Sequence, residues 1–351
     1  MALGGGKITV TTFPGAYIDF VTSKVARGIV GTRGVVAVID TLSTTTPTDV
    51  VVCSADEFYS SGTPLSAAYS AGSMWKYREI FKHANKVVVY NLKNSDTALA
   101  DGLAALEAYD FNVLVNFSTG STDTSTCIAK VKSWRDTLGK KAQIVVYNHA
   151  TSSELNSEAV INVANSVVAD EGNGVTAGGL IAWVAGAVAG CAVNKSCTNM
   201  LYDGELTVNI GQSQSELQSM LDAGKFVFHL VYGEVRVLED INSLTTPGAN
   251  QNEDFSYNQT IRVIDQIAND LAYIFNTKYL GKIINNAAGR TSLWNDIVTH
   301  HKELATMGAI ENFSSEKVVV TAGESPRSVI VQDEITVSGT MSQLFMTVYL
   351  N

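Results

Sequence analysis

The strongest constraint on this chain lies between residues 86 and 147, where Val-rich runs of strand length alternate with stretches of helical period. Lys86-Val-Val-Val-Tyr90 is followed by Leu99, Leu103 and Leu106 at helical spacing, then by Phe111-Asn-Val-Leu-Val-Asn-Phe117. Ile128, Val131, Trp134 and Leu138 mark a second helix that Gly139 can end, and Ala142-Gln-Ile-Val-Val-Tyr147 is the next strand. Strands joined by helical crossovers run parallel, so the spacing predicts a βαβαβ series in a mostly parallel sheet flanked by helices. Upstream, Gly34-Val-Val-Ala-Val-Ile39 and Val50-Val-Val-Cys53 read as two further strands joined by a Ser/Thr/Pro loop at 43–48. Lys7–Thr12 alternates apolar and polar and closes on Phe13-Pro-Gly, a short half-buried strand standing apart.

Downstream, Val175–Val193 runs nineteen residues without a charge. Most of it is Ala and Gly, with Leu180, Ile181 and Trp183 as its large side chains, which predicts a close-packed core helix rather than a membrane span. Leu206–Ile210 reads as a strand, Glu216–Leu221 as a helix stopped by Gly224, and Phe226–Val231 with Val235–Ile241 as a hairpin about Gly233-Glu234. Beyond Thr246-Pro-Gly248, Ile261, Ile264, Ile267, Leu271, Ile274 and Phe275 share a helix face, with Arg262, Asp265, Asn269 and Asp270 off it. A second helix follows a Thr291-Ser292 cap, buries Leu293, Trp294, Ile297, Val298 and Leu304, and stops at Gly308. Strands return at Lys317–Thr321, Ser328–Val337 and Gln343–Leu350.

Catalytic chemistry finds no foothold. Neither GxxxxGK[ST] nor GxGxxG is matched; Gly172, Gly174, Gly178 and Gly179 read as glycines that let a helix pack closely. Gly211-Gln-Ser-Gln-Ser215 fails the GxSxG pattern at its last position. Glu239-Asp240 and Glu253-Asp254 are adjacent, which on a strand points them to opposite faces, so both pairs read as solvated. His300-His301 reads as ordinary helix surface, since a metal site needs three or four converging ligands. Cys53, Cys127, Cys191 and Cys197 contain no CxxC pair, and with no secretory signal in Met1–Lys7 the expectation is free thiols in a reducing cytoplasm. Residues 1–100 hold nine bases and seven acids, 101–200 six and nine, 201–351 nine and eighteen, a balance of +2, -3 and -9 that excludes tracking a phosphate backbone. Charged residues are 17% of the chain, against about 25% in an average soluble domain, which leans towards a surface covered by other chains.

Gln343-Leu-Phe-Met-Thr-Val-Tyr-Leu350 carries large apolar residues on both faces and must be paired and covered. Either it joins the sheet of its own chain, or it augments the sheet of a neighbouring copy, with Lys7–Thr12 as a second candidate arm.

Several segments together resemble the contractile tail sheath proteins of phages and phage-tail-like bacteriocins, most of all the short sheaths of clostridial phages and diffocin-type (R-type) bacteriocins. They are Gly233-Glu-Val-Arg-Val-Leu-Glu-Asp-Ile-Asn-Ser-Leu-Thr-Thr246, Asp270-Leu-Ala-Tyr-Ile-Phe275, Lys278-Tyr-Leu-Gly-Lys282, Gly308-Ala-Ile310 and Met341–Leu350, with Phe13-Pro-Gly-Ala-Tyr-Ile-Asp19 and the helix from Thr176 to Gly190. The resemblance implies an α/β outer domain over 21–200 and an α+β assembly domain over 201–351, with extended terminal β-arms at 1–20 and 339–351. It implies a structural subunit, not an enzyme, that stacks as hexameric rings around an inner tail tube and contracts to drive the tube through a bacterial envelope. Strand exchange would run through Ile8, Val10, Leu344, Phe345, Met346, Val348, Tyr349 and Leu350. Lys278, Lys282 and Arg290, a basic cluster in the acidic third, are candidates to face the tube. The implied partners are further copies of the chain, the tube protein, and baseplate and tail terminator proteins, with no cofactor, no direct nucleic acid and no membrane insertion. Assembly is expected in the bacterial host cytoplasm, followed by release in the particle. The rival reading is an α/β enzyme or small-ligand binder using the crevice at the carboxyl ends of the strands at 86–90, 111–117 and 142–147.

Overall fold

A computed structural model of the chain describes residues 30–42, 50–60, 65, 74–92, 98–117 and 121–350. The expected arm at Lys7–Thr12, with Ile8 and Val10, the Phe13–Asp19 segment and the loop at 43–48 lie outside the described residues.

The Val-rich runs form the strands β1 (Val35–Asp40), β2 (Val50–Ser54), β3 (Lys86–Asn91), β4 (Val113–Asn116), β5 (Gln143–Tyr147), β6 (Val160–Val163) and β7 (Lys225–Phe226). They make one sheet in the order β2-β3-β1-β4-β5-β6-β7. All pairs are parallel except β2, which lies antiparallel on β3 at the edge. Side chains alternate between faces as a pleat requires. Val36, Val38, Val87, Val89, Val113, Val115, Val145, Ile161 and Val163 enter one core. Ala37, Ile39, Val88, Tyr90, Leu114, Ile144, Val146 and Val160 enter the other.

The first core is covered by α2 (Trp75–Phe81) and α5 (Ile181–Gly190), the uncharged helix, nine of whose ten residues are buried. A Cβ at Gly186 would collide with Ile80 O, and one at Gly190 with His83 O, so the two helices can approach only because both positions are glycine. The second core is covered by α3 (Ala98–Ala105) and α4 (Ser121–Ser133), which continues through Trp134–Leu138 and ends on Gly139 in the left-handed conformation. The short α1 (Ala55–Tyr59) and the exposed α6 (Gln214–Asp222) both start on a capping box, Ser54 with Glu57 and Ser213 with Glu216. A hairpin of β8 (Phe228–Val231) and β9 (Glu234–Val237) turns at Tyr232 and Gly233, both at positive φ. The stretch 206–210, expected as a strand, contributes only one bridge, Val208 to Val167.

The last third builds on α7 (Asn258–Ile274) and α8 (Ala287–Thr306). They carry two small cores, with β10 (Ile310–Glu311) on β13 (Thr336–Val337) and β11 (Val318–Ala322) on β12 (Val329–Asp333). The expected strand 328–337 thus divides between two sheets. Among the described residues no helix is long and apolar enough to cross a membrane.

Three expectations fail because α7 is buried on more than one side. Arg262, Asp265 and Asp270, read as lying off the buried face, are enclosed, while Phe275 is exposed. Asp240, read as solvated, is 1% exposed and holds Arg262 Nη2 at 3.1 Å. His300 and His301, read as helix surface, are fully enclosed.

Candidate assembly site

The segment after β13 is tied to the chain at Gln259, a buried residue of the first turn of α7. Its Nε2 donates to Ser338 O at 2.9 Å, and its Oε1 accepts from Thr340 N at 2.9 Å and Thr340 Oγ1 at 3.0 Å. Among the described residues, the chain past Thr340 pairs with no strand of its own. Met341, Leu344, Phe345, Met346, Val348, Tyr349 and Leu350 are 64–102% exposed. These include every carboxy-terminal strand-exchange residue read from the sequence. An apolar run of this kind, with its backbone donors and acceptors open, is a template for pairing with another strand. The two-stranded sheet β11–β12 has the complementary character: its edges pair with no further strand among the described residues, and it exposes Val319, Ile330 and Val331.

The three basic candidates lie on the connection between α7 and α8 and at the start of α8. Lys278 Nζ sits 2.6 Å from Asp296 Oδ2; burial works against its charge and is the largest single influence, but the hydrogen bond and charge of Asp296 together with Tyr279 outweigh it and raise its pKa. Tyr279 Oη reaches the same carboxylate. Lys282, exposed, donates to Thr277 O at 2.6 Å, and Arg290 Nη1 donates to Asn285 Oδ1 at 3.0 Å. Each cation is thus engaged by its own chain, and Lys278 is partly neutralised there. Leu280, Ile283 and Ile284 beside them are exposed, which makes the surface mixed rather than purely basic.

Behind these surfaces is a set of buried ion pairs and histidine–carboxylate hydrogen bonds absent from the sequence expectations. Arg135 Nη1 and Nη2 bond Asp265 at 2.6 and 2.9 Å, joining α4 to α7 across 130 positions. Arg262 bonds Asp240 and, through Nη1, Lys195 O at 2.7 Å. His300 Nε2 lies 2.9 Å from Asp270 Oδ2, and His301 Nε2 lies 2.6 Å from Asp333 Oδ2, tying α8 to α7 and to β12. The available signal was the recurrence of polar residues on α7 at 262, 265, 266, 269 and 270, a second stripe at helical spacing opposite the apolar one. Buried charges paired in this way hold elements in a fixed geometry, with Arg135 Nε and Arg262 Nε left without a hydrogen-bond acceptor; Arg135, Asp265, Arg262 and Asp240 are enclosed, so they offer no substrate access.

At the carboxyl ends of the parallel strands, Asp40 is held by Lys76 Nζ at 2.9 Å and Asn91 Oδ1 accepts from Leu42 N at 2.9 Å. Asp40 and the Asn91 side-chain carbonyl oxygen thus serve the chain itself.

Comparison with known proteins agrees with this architecture. The model of the phage tail sheath protein central domain matches residues 93–243, and that of the phage tail sheath C-terminal domain matches residues 250–351. The chain is 26% identical over 230 residues to the tail sheath protein of Clostridium phage phiCD119, covering 65% of this chain and 63% of that one. The crystal structure of a sheath tail protein from Desulfitobacterium hafniense superposes with a TM-score of 0.73 at 25% identity, covering 88% of this chain and 93% of that one. The helical sheath of the anti-feeding prophage in its contracted state has the same fold, with a TM-score of 0.68 at 15% identity over 97% of this chain and 99% of that one. Matches to two Bacillus subtilis proteins, each 35% identical, span only 41% and 37% of those longer chains. Two adjoining domain models of one family together take in most of this sequence, and that family is structural rather than enzymatic: the chain belongs to the phage tail sheath family.

Proposed function

We propose that this chain is the repeating subunit of a contractile sheath that stacks as hexameric rings around an inner tube and shortens to drive that tube through a bacterial envelope. The observation that carries the reading is the apolar segment beyond Thr340, exposed along its length and unpaired with any strand among the described residues. Burying its seven large side chains gains on the order of 10–20 kcal/mol. Ordering ten residues costs about as much. Side-chain burial alone therefore breaks even, and the segment docks stably where it also gains ladder hydrogen bonds, each worth about 1 kcal/mol. A neighbour's open edge, β11–β12, supplies those bonds, and residues 1–20 act as the second arm.

In this reading, residues 21–200 form the outer α/β domain and 201–351 the assembly domain, which adds β7 to the edge of the sheet. Backbone pairing between copies survives when rigid bodies rotate and slide, so contraction releases free energy stored at assembly and needs no nucleotide. The mixed surface of Lys278, Lys282 and Arg290 faces the tube, and baseplate and terminator proteins bound the polymer. Assembly takes place in the host cytoplasm before the particle is released.

Electron microscopy of the purified full chain beside a chain lacking residues 341–351 tests the reading. Rings or hollow tubes are expected from the first and dispersed subunits from the second; tubes from both would refute arm-mediated assembly. Reversing the charges of Lys278, Lys282 and Arg290 together is expected to weaken co-assembly with the tube protein while sparing the sheath polymer.

A further inference from the structure

Helix α8 turns two adjacent histidines towards different elements. His300 Nε2 lies 2.9 Å from Asp270 Oδ2 on α7, and His301 Nε2 lies 2.6 Å from Asp333 Oδ2 on β12. Their other ring nitrogens meet: His300 Nδ1 and His301 Nδ1 are 3.2 Å apart, and both residues are fully enclosed.

The hydrogens of this chain of four groups can be counted. A carboxylate only accepts, so each Nε2 that faces one carries a hydrogen. The Asp270 Oδ2 atom also accepts from Gly31 N at 3.0 Å and from Gln266 Nε2 at 2.9 Å, in keeping with a pure acceptor. With hydrogen on both Nε2 atoms, two neutral rings would set two lone pairs against each other, and two imidazoliums would set two N–H groups against each other. One hydrogen between the Nδ1 atoms makes the 3.2 Å contact a hydrogen bond.

We propose that His300 and His301 form a proton-binding site that holds one proton between their Nδ1 atoms, so that the tie from α8 to β12 is tightest near neutrality and loosens in both acid and alkali. Acid adds a second proton and alkali removes the shared one. Either change turns the Nδ1 contact repulsive, and parting the rings relieves it at the expense of the bond to Asp333.

The sign follows from counting protons in the parted form, where a free imidazole titrates at about pH 6.5. Below that, the parted form binds two protons against one in the closed form, so falling pH favours parting. Above it, the parted form binds none against one, so rising pH favours parting as well. Among the described residues, the charged groups in contact with the pair are Asp270 from α7 and Asp333 from β12. Farther out, Arg33 Nη1 donates to Gln266 Oε1 at 3.3 Å, Glu303 Oε2 accepts from Val30 N at 3.1 Å, and Lys317 pairs with Glu334 at 2.9 Å beside Asp333. The ring of Phe313 packs 5.3 Å from that of His301. The Asp333 side chain is 20% exposed, which gives protons a route to the pair from solvent. That a loosened β12 would also disturb a sheet receiving a neighbour's strand rests on the sheath reading; the shared proton does not.

Amide hydrogen exchange of the full chain, kept dispersed at low concentration, tests the proposal over about pH 5.5–8.5, a range that brackets free imidazole. With the intrinsic pH dependence of exchange divided out, protection of residues 329–333 is expected to peak near neutrality. On each side it should fall by up to about ten-fold per pH unit, the slope for a difference of one proton. His301→Gln keeps an N–H for Asp333 and brings no second ring nitrogen. Its acid-side fall is expected to disappear, because His300 can then take a proton without meeting another. Should that variant fail to fold, the wild-type profile decides alone. Protection that is flat over the range, or that changes in one direction only, would overturn the proposal, as would an acid-side fall that survives unchanged in His301→Gln.

Discussion

Helix α5 and the segment 341–350 are both ten residues long, both uncharged and both dominated by apolar side chains, yet one is sealed within the chain and the other is almost fully exposed. Hydrophobicity does not separate them. The difference is whether the chain itself supplies a matching surface. The small residues of α5 let the backbone of α2 come close, so its apolar surface is covered by neighbours already present. The terminal segment carries Leu344, Phe345, Met346 and Tyr349, side chains too large for such an approach, and among the described residues no strand pairs with it past Thr340. A buried apolar segment stabilises one subunit; an exposed one is surface reserved for another.

The largest expected effect comes from breaking the fit on the buried side. Gly190→Val places side-chain carbons against His83 O, where backbone cannot yield cheaply. The variant is expected to lose the folded state altogether, read as insoluble expression or loss of a cooperative thermal transition. A soluble variant melting like wild type would show that α5 and α2 are not in close backbone contact.

Next in size is the junction behind the assembly surfaces. Arg262→Met leaves Asp240 buried without its cation, and chemical denaturation is expected to show a loss of about 3–5 kcal/mol. Asp240→Asn combined with Arg262→Met should recover part of that loss, because no uncompensated charge remains. A single-variant loss below about 1 kcal/mol would mean that water reaches the pair.

Smaller still is the change at α6, a helix with no buried residue whose first turn rests on Ser213 and Glu216. Ser213→Ala removes the side-chain acceptor for Glu216 N and is expected to cost about 1 kcal/mol, visible as faster local amide exchange in residues 214–222.

What could be read in advance divides along the same line. The strands β1, β3, β4 and β5, the glycine-rich helix and the turn at Gly233 follow from local pattern, because Val runs, helical spacing and a positive-φ glycine are properties of a few neighbouring residues. The ion pairs were illegible for the opposite reason: Arg135 and Asp265 are 130 positions apart, and a periodic reading assigns both to solvent. His300 and His301 look like surface until the aspartates on α7 and β12 are in place beside them. For the candidate site, the apolar character of Leu344–Leu350 was plain in the sequence, whereas its partner is not a property of the sequence at all. The basic cluster was visible too, but the partial neutralisation of Lys278 by Asp296 needed the three-dimensional arrangement.

The smallest expected effect on the subunit is the sharpest test of the comparison. Among the described residues, segment 341–350 makes none of the strand pairs and lies outside all four hydrophobic cores. Removing it should therefore leave the melting temperature of the dispersed subunit within about 1–2 °C of the full chain, the range for surface changes of roughly 0.5 kcal/mol in a chain of this size. The measurement belongs at low protein concentration, because polymerisation of the full chain adds stability by mass action and would mimic an intramolecular contribution. A concentration-independent fall of about 5 °C or more would mean that the segment folds back on its own subunit. Equal melting temperatures with loss of rings and tubes would mean that all of its apolar surface serves contacts between copies.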